Sequence, residues 1–377
     1  MPFEKITPDQ ITVYPVRERQ SKSCFNDIKA DPDADTPLLK PDVAGKIAQT
    51  AERIIRARKS GASVILAFGA HLIKNGLSPL VIRMMQEGWI THIATNGAGG
   101  IHDWEFAWMG RSEEDVRANV SQGKFGTWNE TGNYLNLAVL AGAVKGMGYG
   151  ESIGALIANQ GMDIPDKKQL KRDILNGVEQ FDPLLSAKAD LWNDLSVFQT
   201  DSGFLSVAHP FKKNSVFGQA FELSVPATVH PGIGYDIIYN HPRANGAALG
   251  RGGHWDFQIM VKSVSKLSGG VFLSVGSAIM APQVFEKAVS AANNVLGNSG
   301  SIRDHWLVVN DLQPASWDWS QGEPPKSEPD YYLRFLKSFY RMGGTVRYVA
   351  LDNRLFLSSL YHRLTQQSAQ NIIFSKY

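Results

Sequence analysis

Residues 63–100 read SVILAFGAHLIKNGLSPLVIRMMQEGWITHIATNGAGG. SVILAFGAH is apolar without polar alternation and is closed by small residues, the mark of a strand buried on both faces. LSPLVIRMMQEG carries its apolar residues at helical spacing, and ITHIATNGAGG is a second buried run entering a glycine-rich turn. Strand, helix, strand at this spacing is a βαβ unit, and a βαβ unit demands a parallel sheet.

The same alternation extends outward. Upstream, DVAGKIAQTAERIIRARK (42–59) sets Val43, Ile47, Ala51, Ile54 and Ile55 at helical spacing, and Gly61 closes that helix. Residues 133–158 read as helical and 163–195 as charged helices. Strand and helix then alternate again: SVPATVHPGIG, WDFQIMVKSVSKL, GGVFLSVGSA, PQVFEKAVSAANNVLG, HWLVVND, PDYYLRFLKSFYRMGG, VRYVALD and NRLFLSSLYHRL. The expected architecture is α/β, a doubly wound and mostly parallel sheet over residues 42–377. A helical insertion interrupts it around 133–195, and an irregular arm rich in Pro and Asp precedes it at 1–41.

Composition narrows the function classes. With 38 basic and 36 acidic residues the net charge is +2, so no global field draws the chain to nucleic acid or an acidic membrane. No apolar run approaches the ~20 residues of a membrane span, and the first 20 residues lack the apolar core of a secretory signal. A cytoplasmic protein is expected. Cys24 is the only cysteine, which excludes an internal disulfide and thiolate zinc clusters. No two histidines have the spacing of a helical zinc site, so no metal is expected.

Ligands of open parallel sheets bind beyond the carboxyl ends of the strands. Those ends carry Gly69, then Asn96, Gly97, Gly99, Gly100, His102 and Asp103, then His230, then Gly276 and Ser277, then Asn310 and Asp311. Several small residues at one sheet edge leave room for backbone to approach a nucleotide. NGAGGIHD lacks the GxGxxG spacing, which disfavours an ordinary Rossmann dehydrogenase. Asp103 has two readings: an acceptor for a ligand's hydroxyls, or an N-cap for the segment starting at Trp104. His102 is either a general base or a solvent-facing turn residue.

Over about residues 42–366 the order of these loops resembles deoxyhypusine synthase and the NAD-binding domains built like it. The matching stretches are GAHLIKNG (69–76), NGAGGIHDWE (96–105), PATVHPGIG (226–234), VGSAIMAP (275–282), VVND (308–311) and PDYYLRFLK (329–337). The resemblance implies NAD as cofactor, with Gly69, Asn96, Gly97, Gly99, Gly100, Asp103, Gly276, Ser277, Asn310 and Asp311 around it. It also implies a homo-oligomer, dimer or tetramer, and makes Lys337 the lysine that forms an imine with substrate. Helical spacing alone sets Lys337 beyond the edge of the apolar face of Tyr332, Phe335, Leu336, Phe339 and Tyr340, where a lysine is solvated. A nucleophilic lysine must be neutral, so the two readings oppose each other.

Where the resembled family holds a polyamine with acids and histidines, this chain has His230, Tyr235, Tyr331 and the run Met280, Ala281, Pro282. Spermidine carries about three charges at neutral pH, and burying them takes several carboxylates. Asp236 and Asp318 are the remaining candidates, with Tyr331 and Phe335 as aromatic walls and His102 and His230 as acid–base groups. The expectation is an NAD-dependent enzyme acting on a small amine-bearing metabolite rather than on spermidine and a translation factor. Two alternatives stay open: an NAD-binding deaminase or cyclase of an amino acid, and a non-catalytic nucleotide-binding oligomer.

Overall fold

The structure, a computed structural model, describes residues 3–297 and 300–374. Residues 1–2 of the expected arm and 298–299 and 375–377 of the expected domain lie outside it. Six strands form the central sheet: β1 (Val64–Phe68), β2 (His92–Thr95), β3 (Ala227–Val229), β4 (Val271–Val275), β5 (Trp306–Asp311) and β6 (Thr345–Ala350). Their order is β6-β5-β4-β1-β2-β3. The ladders from β6 to β2 are parallel, and Leu66 of β1 lies opposite Leu273 on one side and Ile93 on the other. Every residue of β1 and β4 is buried, as strands covered on both faces require. The α/β doubly wound expectation is borne out.

The winding locates a site. From β1 the chain moves one way to β2 and β3, then returns to lay down β4, β5 and β6 on the other side of β1. The reversal falls between β1 and β4, the point where an open α/β sheet leaves a crevice for ligands.

Packing groups the chain into two compact units. One comprises Ile28–Gly99, Leu223–Pro226 and Phe257–Tyr377, and holds β1, β2, β4, β5 and β6. Helix α1 (Pro41–Lys59) buries Ile47, Ala51, Ile54 and Ala57, spaced three and four apart on one face. Helix α2 (Ser78–Gln86) links β1 to β2. The core of this unit centres on Phe272, whose ring lies 4.1 Å from that of Phe285, itself 5.9 Å from Phe339.

The other unit comprises Met1–Asp27, Gly100–Glu222 and Ala227–Asp256. Asp256 organises its centre. One oxygen of its buried carboxylate accepts from the N–H groups of Gly150 (2.9 Å) and Val229 (2.7 Å), tying the helix Tyr149–Ala158 to β3. Burial pushes the Asp256 carboxyl up to about 8, against the pull of those hydrogen bonds.

Four local expectations change. NGAGG is not a loop: a helix, α3 (Gly97–Met109), begins at Gly97. Residues 133–158 form two helices, Asn129–Ala143 and Tyr149–Ala158, parted at Gly146, whose φ of +79° no β-carbon tolerates easily. The start of the charged helical stretch is instead a strand, Gly161–Ile164, paired antiparallel with Gly203–Ser206. The helix expected over 329–344 is a 3-10 turn, Pro329–Tyr332, followed by a separate helix, Arg334–Arg341, because Leu333 leaves helical geometry at ψ 75°.

Candidate functional site

At the reversal, backbone laces three strand ends together. Gly69 follows β1, and its N–H donates to Val275 O at 3.1 Å. A β-carbon at Gly69 would stand 2.1 Å from Gly276 O, so only glycine fits there. Gly276 sits at φ +57°, and its N–H donates to Asn310 O at 2.9 Å. Helix α4 (Met280–Leu296) follows, and Ser277 Oγ accepts from Ala281 N–H at 3.2 Å.

Beside this junction lies a cavity of about 210 Å³ lined by His71, Asn75, Gly276, Asn310, Asp311, Leu312, Leu351, Asp352 and Asn353. Asn310 is buried, and its amide donates to Val349 O (3.1 Å) and Leu351 O (2.7 Å), which fixes its orientation. Its Oδ1 is a buried acceptor without a partner among the described residues. Asn75 donates to Asn353 Oδ1 at 2.8 Å. Asp311 and Asp352 each use Oδ1 for nearby backbone, at Leu312 N–H (2.8 Å) and Arg354 N–H (2.9 Å), the second at the start of helix α5 (Asn353–Phe374). Burial, then the charge of Lys74, holds the His71 imidazole below its ordinary value, so the ring is neutral at pH 7. The cavity thus offers carboxylates, an unpartnered amide oxygen and a neutral imidazole. That set suits hydroxyl and amide groups rather than phosphate.

Gly69, Gly276, Asn310 and Asp311 therefore come together as expected, with Ser277 adjacent in the chain. Sequence reading missed Asn75, Leu312, Leu351, Asp352 and Asn353 as lining residues. The signal available was position: Asp352 and Asn353 directly follow the last strand, VRYVAL.

The glycine stretch does different work. Asn96 Oδ1 accepts from Gly99 N–H at 3.0 Å, capping α3. A β-carbon at Gly99 would lie 2.1 Å from Thr95 Oγ1, which donates to Phe68 O at 2.8 Å, so Gly99 permits close packing of helix on strand. A β-carbon at Gly100 would meet Ile153 at 3.4 Å and Val229 at 3.5 Å, ordinary packing distances that do not require glycine. Asp103 is buried, and its carboxylate accepts from Ser215 Oγ (2.5 Å), Val216 N–H (2.9 Å) and Phe217 N–H (3.2 Å). It holds the start of the helix Val216–Glu222, a role in neither expectation. Burial raises Asp103 to about 6, with the three hydrogen bonds opposing.

His102 belongs to a buried chain. Its Nδ1 lies 2.7 Å from Ser112 Oγ, and Ser112 donates to Glu105 Oε2. Arg19 grips both Glu105 oxygens at 2.8 Å, and Thr131 Oγ1 donates to Oε1 at 2.9 Å. Burial alone would raise the Glu105 carboxyl, but the Arg19 guanidinium, with His102 and the Ser112 hydrogen bond, holds the group below its ordinary value. His230 directly follows β3, with Nε2 3.1 Å from Thr228 Oγ1, and burial lowers it to about 4, so it is neutral at pH 7. Asp236 accepts from Gly232 N–H at 2.5 Å, and burial raises it.

Of the remaining expected site residues, Phe335 lies in the core, 6.2 Å from the ring of Tyr348. Asp318 is exposed on its loop. The Lys337 ammonium sits 3.6 Å above the Tyr331 ring and 3.7 Å from Glu323 Oε1. Imine formation there would need the nitrogen to leave both contacts. Among the described residues no group of three His, Cys, Asp or Glu is arranged to hold a metal ion, and no helix is long and apolar enough to cross a membrane.

No protein-family model matches the chain, and no curated protein matches it. Solved structures are similar in part. A ternary complex of AgrE with ornithine and NAD+ matches at 14% identity over 88% of this chain and 34% of that one, with a TM-score of 0.45. Apo ArgZ, an arginine dihydrolase of the cyanobacterial ornithine–ammonia cycle, matches at 12% over 87% and 33%, with a TM-score of 0.41. A conserved putative LOR/SDH protein from Methanococcus maripaludis S2 matches at 16% over 90% and 74%, with a TM-score of 0.41. The chain spans about a third of the length of the first two.

Proposed function

We propose that the chain is an NAD-dependent enzyme of the deoxyhypusine synthase-like type, a transferase or lyase acting on a small amine-bearing metabolite. The observation that carries this is the polar cavity at the sheet reversal, where Asn310 presents a buried, unpartnered acceptor. At about 210 Å³ it takes a ribose-sized group rather than a whole dinucleotide. The second oxygens of Asp311 and Asp352 would accept ribose hydroxyls there, and Asn310 Oδ1 would accept a further donor. Backbone at Gly276–Met280, entering the 17-residue helix α4, would hold the phosphates. Gly97 and Gly100, in the first turn of α3, are kept in the nucleotide set on the same ground. NAD when bound supplies a hydride acceptor.

The chain's own part is binding and proton handling. His102 takes the proton from the substrate amine, and His230, neutral, is a hydrogen-bonding partner. Asp236 or Asp318 pairs with one ammonium group, and a triply charged polyamine is disfavoured for want of further carboxylates. An imine at Lys337 requires that nitrogen to leave Glu323 and the Tyr331 ring, so the proton steps are assigned to His102. Leu312, 72% exposed on the cavity rim, and Ile279, 71% exposed before α4, support a homo-oligomer that covers them.

Calorimetric titration of the purified chain with NAD tests the reading. Binding is expected, and Asp311→Ala should weaken it about 10- to 100-fold, the loss of a hydrogen bond to a charged group. No binding, together with no nucleotide released on denaturation, overturns it.

A further inference from the structure

The buried chain from Arg19 to His102 fixes more than packing. Glu105 receives four hydrogen bonds, two from Arg19 and one each from Thr131 and Ser112. A serine hydroxyl has one proton, and here that proton points at Glu105. Ser112 Oγ can then only accept from His102 Nδ1, 2.7 Å away. The ring nitrogen at that contact must carry hydrogen. In the neutral ring the lone pair is therefore at Nε2.

We infer that Ser112 and Glu105 are positioning residues that hold His102 as the Nδ1–H tautomer, with Nε2 as its basic nitrogen. This rests on the reading of His102 as the proton acceptor. When a proton leaves the substrate's ammonium group for Nε2, the amine keeps its electron pair and the ring becomes an imidazolium. That cation is bonded through Ser112 to the Glu105 carboxylate, and Arg19 keeps the carboxylate ionised. Neither Ser112 nor Glu105 exchanges a proton with substrate. The arrangement follows the logic of a base oriented by a further group, with a hydroxyl placed between them. A network of this kind whose only task is to anchor the segment around Arg19 has no need of a particular tautomer at His102.

The full chain, labelled with [15N]histidine, gives the test at about pH 8. His102 is assigned among the nine histidines by its loss in His102→Gln. The expected result is a protonated-type nitrogen at Nδ1 and an unprotonated-type nitrogen at Nε2. Ser112→Ala, which leaves the Arg19–Glu105 pair intact, should shift the ring to a mixture of tautomers, and Ser112→Thr should restore the single form. Protonation at Nε2 in the wild type overturns the inference, and so does a Ser112→Ala ring unchanged from wild type. NAD titration separates the two claims: failure to bind NAD with the tautomer as stated defeats the cofactor reading alone, and the reverse pattern defeats this inference alone.

Discussion

Gly99→Ala distinguishes a glycine kept for a ligand from one kept for packing. The new methyl would lie 2.1 Å from Thr95 Oγ1 and 2.9 Å from Thr95 Cγ2, so Thr95 must move. Forcing a group into a filled site costs about 1–3 kcal/mol. If Thr95 rotates away, its bond to Phe68 O is lost, at about 1 kcal/mol. Alanine in place of glycine in a helix returns roughly 0.5–1 kcal/mol. The net expectation is a loss of about 2 kcal/mol, which urea unfolding resolves, and a melting temperature lower by a few degrees. Thr95→Ala removes the obstructing oxygen, so the double variant Thr95→Ala/Gly99→Ala should be more stable than the sum of the single changes predicts, by about 1–2 kcal/mol. Unchanged stability in Gly99→Ala with weakened NAD binding would refute the packing account and restore the ligand-approach one.

Two further outcomes follow from buried charges. The Asp256 carboxyl, raised from 3.8 to about 8, keeps its proton in the folded chain while the unfolded chain ionises. Its contribution is full below about pH 4 and is lost as pH rises to about 8, so Asp256→Asn should flatten that decline and exceed wild-type stability at pH 9 by urea unfolding. Arg19→Met leaves Glu105 buried and unpaired and should cost about 3–5 kcal/mol, while Arg19→Met/Glu105→Leu should recover most of it. A double variant as unstable as Arg19→Met would reject the assignment of that cost to an unpaired charge.

The strands and the reversal between β1 and β4 were legible because a parallel sheet buried on both faces writes itself as apolar runs, such as VILAF and VFLSV. The cavity at the reversal followed in part, since Gly69, Gly276, Asn310 and Asp311 stand at strand ends by position alone. What failed was side-chain destination. Gly97, Gly99 and Gly100 read as a turn from composition, yet Gly99 is glycine because Thr95 occupies the space beside it. Asp103 read as a ligand contact or a cap for its own helix, yet it caps a helix more than a hundred residues later in the chain, a pairing no local pattern encodes. Glu105 gave no signal beyond its type, because its partner Arg19 lies in a stretch read as an irregular arm.

The sheet reversal also sets the order in which the chain can be assembled on a ribosome. Val64 of β1 pairs with Val271 of β4, about 200 residues later. At typical rates of about 5–20 residues per second, β1 waits roughly 10–40 s for that partner to emerge. Through that interval a nascent chain carries a strand that is apolar on both faces, with one edge still open to any other extended segment. Heterologous yield should therefore depend on what shields that edge during translation, more than on the stability of the finished fold.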